Sequence, residues 1–135
     1  MKACYFRQEE VRIIMKRLII VISSLLVFFL LTVTVCAAYQ NFYVAGGNCI
    51  AQLTKYPGKA MASTIGATPD YYCYAEVKLY YVCNGKYNDL TESRGDYREV
   101  FVTAVAPCSS GARQAHSTHR CYAPNGQNNG VNLSE

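Results

Sequence analysis

The sequence predicts a small all-β protein, an antiparallel sandwich or open barrel of about six strands, preceded by an N-terminal hydrophobic signal or anchor helix. Beyond residue 37, apolar side chains recur with a period of two, which is the spacing of strands that bury one face. Short polar segments rich in turn-forming residues separate these stretches, as they do in sandwiches and small barrels. Before residue 37, an uncharged apolar run covers residues 18–35 and predicts the helix.

The apolar run follows Lys16 and Arg17 directly, and it would be apolar on every side of a helix. A positive segment, an apolar core and then small residues are typical of a secretory signal peptide. We therefore predict that residues 1–37 are a signal peptide, with Met15 as an alternative start, and that the protein is secreted or extracellular. A core of about 18 residues can also span a bilayer, so a protein tethered by an N-terminal membrane anchor is the alternative.

Charge gives no reason to expect a nucleic-acid partner. The chain has 13 basic and nine acidic residues, but five of the basic and two of the acidic ones precede the apolar run. Eight basic and seven acidic residues remain beyond it, which is a net charge of +1. Proteins that bind phosphate backbones carry a clear basic excess. We predict no nucleic-acid binding, and membrane contact only through the N-terminal segment.

The clearest strand covers residues 71–83, where one face is mainly apolar and the other carries tyrosines and charges. Residues 96–106 alternate in the same way and predict a second strand. We predict that these two strands pair antiparallel with Ala75 opposite Ala106, because this register joins their apolar faces.

Turn-forming residues predict the connections. Residues 84–95 are rich in turn formers and charge and predict a loop, with a tight turn at residues 84–85. A turn at residues 56–59 contains Pro and Gly at its centre, and it predicts a hairpin between residues 49–55 and 60–65.

The remaining segments predict two further strands and a tail. Residues 41–45 predict a short first strand, and residues 115–122 predict the last one. We therefore predict an exported β domain over residues 38–123. Residues 124–135 are polar and rich in Gly and Asn, and they predict a disordered tail.

Five cysteines follow the predicted cleavage point, and an exported domain of this size gains stability from disulfides. They are Cys49, Cys73, Cys83, Cys108 and Cys121. The predicted register places Cys73 opposite Cys108, so we predict a disulfide between these two. We predict a second disulfide between Cys49 and Cys121, which leaves Cys83 free.

The candidate catalytic and metal-binding residues do not form a recognisable motif. His116 and His119 are the two histidines, and their odd spacing places them on opposite faces of a strand. We therefore predict no metal site and no cofactor. Serines and carboxylates are present without a Gly-x-Ser-x-Gly elbow. We predict no enzymatic activity, and a small hydrolase is the alternative class.

Tyrosines on the polar face of the two predicted strands form the strongest candidate for a binding site. In the predicted register Tyr80 lies opposite Phe101, and Tyr72, Tyr74 and Tyr97 lie on the same side. Exposed tyrosines of this kind can stack on sugars or anchor a protein partner. The alternative is ordinary packing under a second sheet, because tyrosine also favours strands.

The leader, the Tyr-rich β domain and the few cysteines resemble many small exported proteins of Gram-positive bacteria. We predict an exported, disulfide-stapled, non-catalytic binding or cell-envelope-associated module, with a cell-envelope glycan or a protein as its partner. The same layout is shared by secreted bacteriocin-like peptides, so the alternative function is an antagonist of other cells.

Overall fold

Eight antiparallel strands make up the part of the chain that the structure, a computed structural model, describes: residues 36–108 and 111–135. The strands are β1 (Cys36–Val44), β2 (Gly47–Tyr56), β3 (Lys59–Ile65), β4 (Tyr72–Cys83), β5 (Lys86–Tyr97), β6 (Glu99–Val105), β7 (Ala112–Tyr122) and β8 (Asn128–Ser134). They form two four-stranded sheets, the back sheet β1-β2-β3-β6 and the front sheet β5-β4-β7-β8. The predicted all-β, sandwich-like class is confirmed, with eight strands in place of about six.

The predicted signal or anchor segment, residues 1–37, lies outside the described residues except for its last two, which begin β1. Within the described ranges, no helix is long and apolar enough to cross a membrane. The described strands belong to one compact unit, Thr34–Glu135.

The core lies between the two sheets, where alternate side chains of both sheets point inward. The predicted alternation is confirmed in β4 and in β6, whose inward residues are buried while their neighbours are half-buried or exposed. The larger buried apolar side chains are Phe42, Val44, Leu53, Tyr71, Val77, Leu79, Tyr81, Val100, Val102 and Leu133. Alanines fill much of the remaining inner surface.

The predicted pairing of β4 with the 96–106 strand is wrong. In the structure β4 pairs with β5 and β7, while β6 pairs with β3 in the back sheet. The chain changes sheets at Arg98, which has a φ of 67° between β5 and β6. Its amide donates to the Tyr71 carbonyl at 2.7 Å, and its carbonyl accepts from the Gly66 amide at 2.7 Å.

The predicted loop over residues 84–95 is also wrong, because most of it forms β5. The tight turn predicted at Asn84-Gly85 is present, with φ values of 51° and 74°, and Asn and Gly tolerate this left-handed region. Such a two-residue turn returns the chain directly along β4. β5 lies at a sheet edge and is exposed on both faces, so its sequence is polar and lacks the apolar alternation of a strand.

The tail predicted to be disordered forms β8, which pairs with β7 from His116 to Tyr122. Leu133 is buried against the core, and Ala115 and Glu135 exchange two backbone hydrogen bonds of 2.7 and 2.8 Å. The polar composition of this segment reflects an edge strand that contacts the core only through Val131 and Leu133, since backbone pairing does not depend on side-chain polarity.

The disulfide in the structure joins Cys83 to Cys108, with the two Cα atoms 6.1 Å apart. It ties the end of β4 to the segment that follows β6, and so links the front sheet to the back sheet. The predicted Cys73–Cys108 bond is wrong because β6 is not the neighbour of β4, and Cys83 is therefore not free. The predicted Cys49–Cys121 bond is not formed either, since Cys49, Cys73 and Cys121 are buried thiols.

Candidate functional site

Three tyrosines form a row across the outer face of the front sheet. The register places Tyr72 of β4 between Tyr97 of β5 and Tyr122 of β7. The Tyr72 ring lies 5.4 Å from the Tyr97 ring, edge to face, and 6.1 Å from the Tyr122 ring, tilted by 55°. Tyr97 is 65% exposed and Tyr72 is 39% exposed. These three side chains, called the aromatic row below, offer apolar ring surface to solvent.

Gly95 explains how Tyr72 reaches this position. A Cβ atom at Gly95 would collide with the hydroxyl end of the Tyr72 ring, so the ring crosses β5 over a residue without a side chain. Glycine inside a strand often marks such a close approach. The aromatic row therefore depends on β5 as well as on the tyrosines.

A polar groove of 310 Å³ lies beside the aromatic row, over β7 and β8. Thr118 and Arg120 of β7 and Asn128 and Asn132 of β8 supply its outward side chains. Its floor contains Gly130, where a Cβ atom would collide with the carbonyl oxygen of His119 on β7. The groove thus brings backbone, amide and guanidinium groups together.

The groove and the aromatic row are continuous. Asn128 lies directly opposite Tyr122, and Arg120 lies on the same face two residues before it. Aromatic rings and hydrogen-bonding groups are therefore held side by side on rigid strands, an arrangement typical of sites that read both the faces and the edges of a ligand.

Tyr74 lies in the row behind the aromatic row, opposite Gly95 and Arg120. It is half-buried, and its hydroxyl donates to a carboxylate oxygen of Glu76 at 2.9 Å. Burial, together with the charge of Glu76, raises the pKa of Tyr74, although a hydrogen bond with Ser93 opposes this. Tyr74 thus supports the face from within the sheet, with its hydroxyl already engaged.

Tyr80 belongs to a second cluster, towards the opposite end of β4. Its ring stands edge-on to His116 at 5.5 Å, and the Lys78 ammonium lies 5.2 Å from the ring centre. Lys78 also pairs with Asp89 at 3.2 Å, and this hydrogen bond raises the pKa of Lys78. The cluster carries compensated charge and lies apart from the polar groove.

The structure places four of the five predicted aromatic residues on one face and the fifth elsewhere. Phe101 lies on the outer face of the back sheet, opposite Ser63, and is 54% exposed. Its predicted partner Tyr80 lies opposite Asp89 instead. This prediction is wrong because β6 crosses to the other sheet.

Sequence reasoning missed Tyr122 and Arg120, which the structure brings to the centre of the face. Both alternate with the buried Cys121 in β7, so the period-two pattern already places them on a common side. The sequence does not show that β7 pairs with β4. This pairing is what places Tyr122 beside Tyr72.

The two histidines lie on opposite faces of β7, as predicted, and His119 is fully buried. Its Nε2 lies 2.7 Å from the Ser117 hydroxyl, and its Nδ1 lies 2.9 Å from the Thr64 hydroxyl. Thr64 in turn donates to the Tyr74 carbonyl at 2.9 Å. Thr64 must therefore accept from Nδ1–H, which leaves Nε2 to accept from Ser117.

This Ser117–His119–Thr64 chain is a structural element of the core. Burial lowers the pKa of His119 to about 4, against a smaller opposing effect of a hydrogen bond to the Ser63 backbone. These three hydrogen-bonded side chains include no carboxylate, and both hydroxyl groups are buried with the imidazole between the sheets. Among the described residues, no three His, Cys, Asp or Glu side chains are arranged to hold a metal ion.

No protein-family model matches the chain, and no curated protein or solved structure matches it at a significant level. Function is therefore inferred from the chemistry of the front sheet itself.

Proposed function

We propose that this protein is an exported, non-catalytic module that binds glycans of the cell envelope through the outer face of its front sheet. The observation that carries this proposal is the aromatic row, which lies directly beside a polar groove on the same rigid sheet. The ligand is a neutral or weakly polar sugar chain with alternating apolar faces and hydroxyl edges.

The chemistry of the face suits such a ligand. The C–H face of a pyranose ring stacks on an aromatic ring, while its hydroxyl groups exchange hydrogen bonds with amide and guanidinium groups. Strands in a sheet lie about 4.8 Å apart, so the three rings extend over roughly 10 Å, the length of a disaccharide. Arg120 and Asn128 line the polar groove beside the rings, and their side chains suit hydrogen bonds with the hydroxyl edges of such a sugar.

The aromatic row is already ordered before a ligand binds. The tyrosine side chains have two rotatable bonds each, and they are held by ring contacts and by the pleat of the sheet. Little conformational freedom is lost on binding, and such preorganisation favours affinity.

Export is part of the proposal. The disulfide between Cys83 and Cys108 is compatible with an oxidising compartment, where such bonds persist. The positively flanked apolar run at residues 18–35 supports delivery through a membrane, with cleavage giving a secreted protein and retention a tethered one.

Binding of the purified protein to a glycan array and to isolated cell-wall polysaccharide tests the proposal. A Tyr72→Ser/Tyr97→Ser variant should raise the Kd roughly tenfold or more, because it removes two of the three stacking rings. The matched control is Tyr39→Ser/Phe101→Ser, which removes two exposed rings from the back sheet. Equal binding by both double variants would disprove the assignment of the site.

A glycine variant separates ring position from ring presence. Gly95→Ala should weaken glycan binding with every tyrosine retained, because the new methyl group displaces the Tyr72 ring. Gly58→Ala is the control, since nothing lies within 4 Å of a Cβ atom there. If the array shows no glycan binding and the protein instead captures a single protein partner through the same residues, the face is a protein-binding site.

A further inference from the structure

Three thiols meet in the core between the sheets. Cys73 of β4, Cys121 of β7 and Cys49 of β2 are each fully buried. The sulfur atoms of Cys73 and Cys121 are 3.5 Å apart, and Cys49 also hydrogen-bonds to Cys121. Cys121 is therefore the shared member, with one potential partner in its own sheet and one in the facing sheet.

The geometry favours the partner in the same sheet. Cys73 and Cys121 are directly opposite in the antiparallel register of β4 and β7. The Cα atoms of such pairs lie about 4.5–5.5 Å apart, which is within the range that disulfides span. The sulfurs need to approach by about 1.5 Å to reach a bond length of about 2.05 Å, and side-chain rotation supplies a movement of this size.

The hydrogen bond between the two thiols makes them unequal. The contact with Cys121 lowers the pKa of Cys73, and the same contact, with burial, raises the pKa of Cys121. The thiolate is the attacking species in disulfide exchange. This difference belongs to the closed core, so either thiolate can attack first while the sheets are open, and the other thiol then completes the bond.

We propose that Cys73 and Cys121 form a second disulfide, which ties β4 to β7, and that Cys49 remains a thiol beside it. The oxidant is an external disulfide, such as oxidised glutathione or a thiol oxidase of the export compartment. One of the two thiolates attacks one oxidant sulfur, and the oxidant S–S bond breaks to release one thiol. The other protein thiol then loses its proton and attacks the sulfur of this mixed disulfide that belongs to the protein, which releases the second thiol. Two protein thiols are oxidised while one external disulfide is reduced to two thiols.

Burial determines when the bond forms. Both sulfurs are inaccessible in the folded core, so an external disulfide reaches them only before the sheets close or when they open. The bond is therefore expected to form during folding, and the folded, reduced protein should oxidise slowly. This inference rests on the export that is part of the proposed function, but it does not depend on glycan binding.

Peptide mapping tests the proposal directly. The full chain is refolded with reduced and oxidised glutathione, alkylated in denaturant without reductant and digested with trypsin, which places the five cysteines of the domain on separate peptides. We expect peptide 60–78 linked to peptide 121–135, and Cys49 alkylated. A Cys49–Cys121 link, or alkylation of all three thiols, would overturn the proposal.

A variant that lacks one of the three core cysteines provides the control. Cys49→Ala should retain the Cys73–Cys121 link, because the bond does not require the third thiol. Loss of that link in Cys49→Ala, with the Cys83–Cys108 link intact as evidence of folding, would contradict the proposal in the same way.

Discussion

The buried imidazole of His119 makes the free energy of unfolding of this domain depend on pH. It is held neutral by burial, with its two nitrogens occupied by Ser117 and Thr64. Its pKa falls from 6.5 to about 4 in the folded protein. Between these values the unfolded chain binds more protons than the native one, so acid favours unfolding.

We therefore expect the free energy of unfolding to be highest above pH 6.5 and to fall by up to about 3 kcal/mol as the pH drops to 4, since each pKa unit is worth about 1.4 kcal/mol. Urea denaturation of the wild type and of His119→Gln across this range measures the effect. The variant should lack this part of the pH dependence, although carboxylates add their own. His116→Gln, on the other face of β7, should retain it. A wild type and His119→Gln with parallel pH profiles would refute the role of His119.

At the scale of strands, the sequence predicts well the strands that bury one apolar face and poorly the strands that have few apolar residues. β4 and β6 alternate cleanly because one side of each faces the core, and both were predictable. β5 and β8 are edge strands with few apolar residues, so their backbone pairing leaves almost no trace in the side-chain pattern. The pairing partner of β6 was unpredictable for a related reason, since several apolar faces of similar length fit it equally well.

The same uncertainty about neighbours affected the candidate site. Tyr72, Tyr74, Tyr80 and Tyr97 share a face because they belong to the β4–β5 hairpin. The alternation of β4 predicts the common face of its three tyrosines, whereas Tyr97 reaches that face at the end of β5, a strand that was predicted as a loop. Phe101 was predicted on the wrong sheet, because the apolar alternation does not show that the polypeptide passes from the front sheet to the back sheet between β5 and β6. The Cys73–Cys108 disulfide was predicted wrongly for the same reason, because it was derived from the incorrect register.

β8 gives a prediction at this scale. Leu133→Ala should lower the free energy of unfolding by about 2 kcal/mol, because the side chain of Leu133 is buried against the core. Asn132→Ala, on the exposed side of the same strand, should change it by less than about 0.5 kcal/mol. Chemical denaturation of both variants measures the difference. A neutral Leu133→Ala would mean that the segment is a disordered tail after all.

For the whole molecule, the link between Cys83 and Cys108 has the largest expected effect. It closes a loop of 25 residues between the front sheet and the back sheet, and a crosslink of this length stabilises by roughly 3–4 kcal/mol through the unfolded chain. A domain of this size has a modest core, so such a contribution is a large part of its stability.

Cys83→Ala and Cys108→Ala should each lower the free energy of unfolding by roughly 3–4 kcal/mol, and the double variant should lose no more than either single one, because any of the three removes the same bond. Thermal or urea unfolding of the three variants under non-reducing conditions tests this. Additive losses in the double variant would show that the two side chains contribute separately and that the bond does not.

The charged sequence of β5 has a consequence for the solubility of the protein. A strand from another molecule can add only to a free sheet edge, and β5 occupies one. Its outward and inward positions carry Lys86, Asp89, Glu92 and Arg94, which are all exposed. A second strand laid along them would have to strip water from charges of both signs. The charged residues that make β5 hard to recognise in the sequence thus also discourage the addition of foreign strands at this edge.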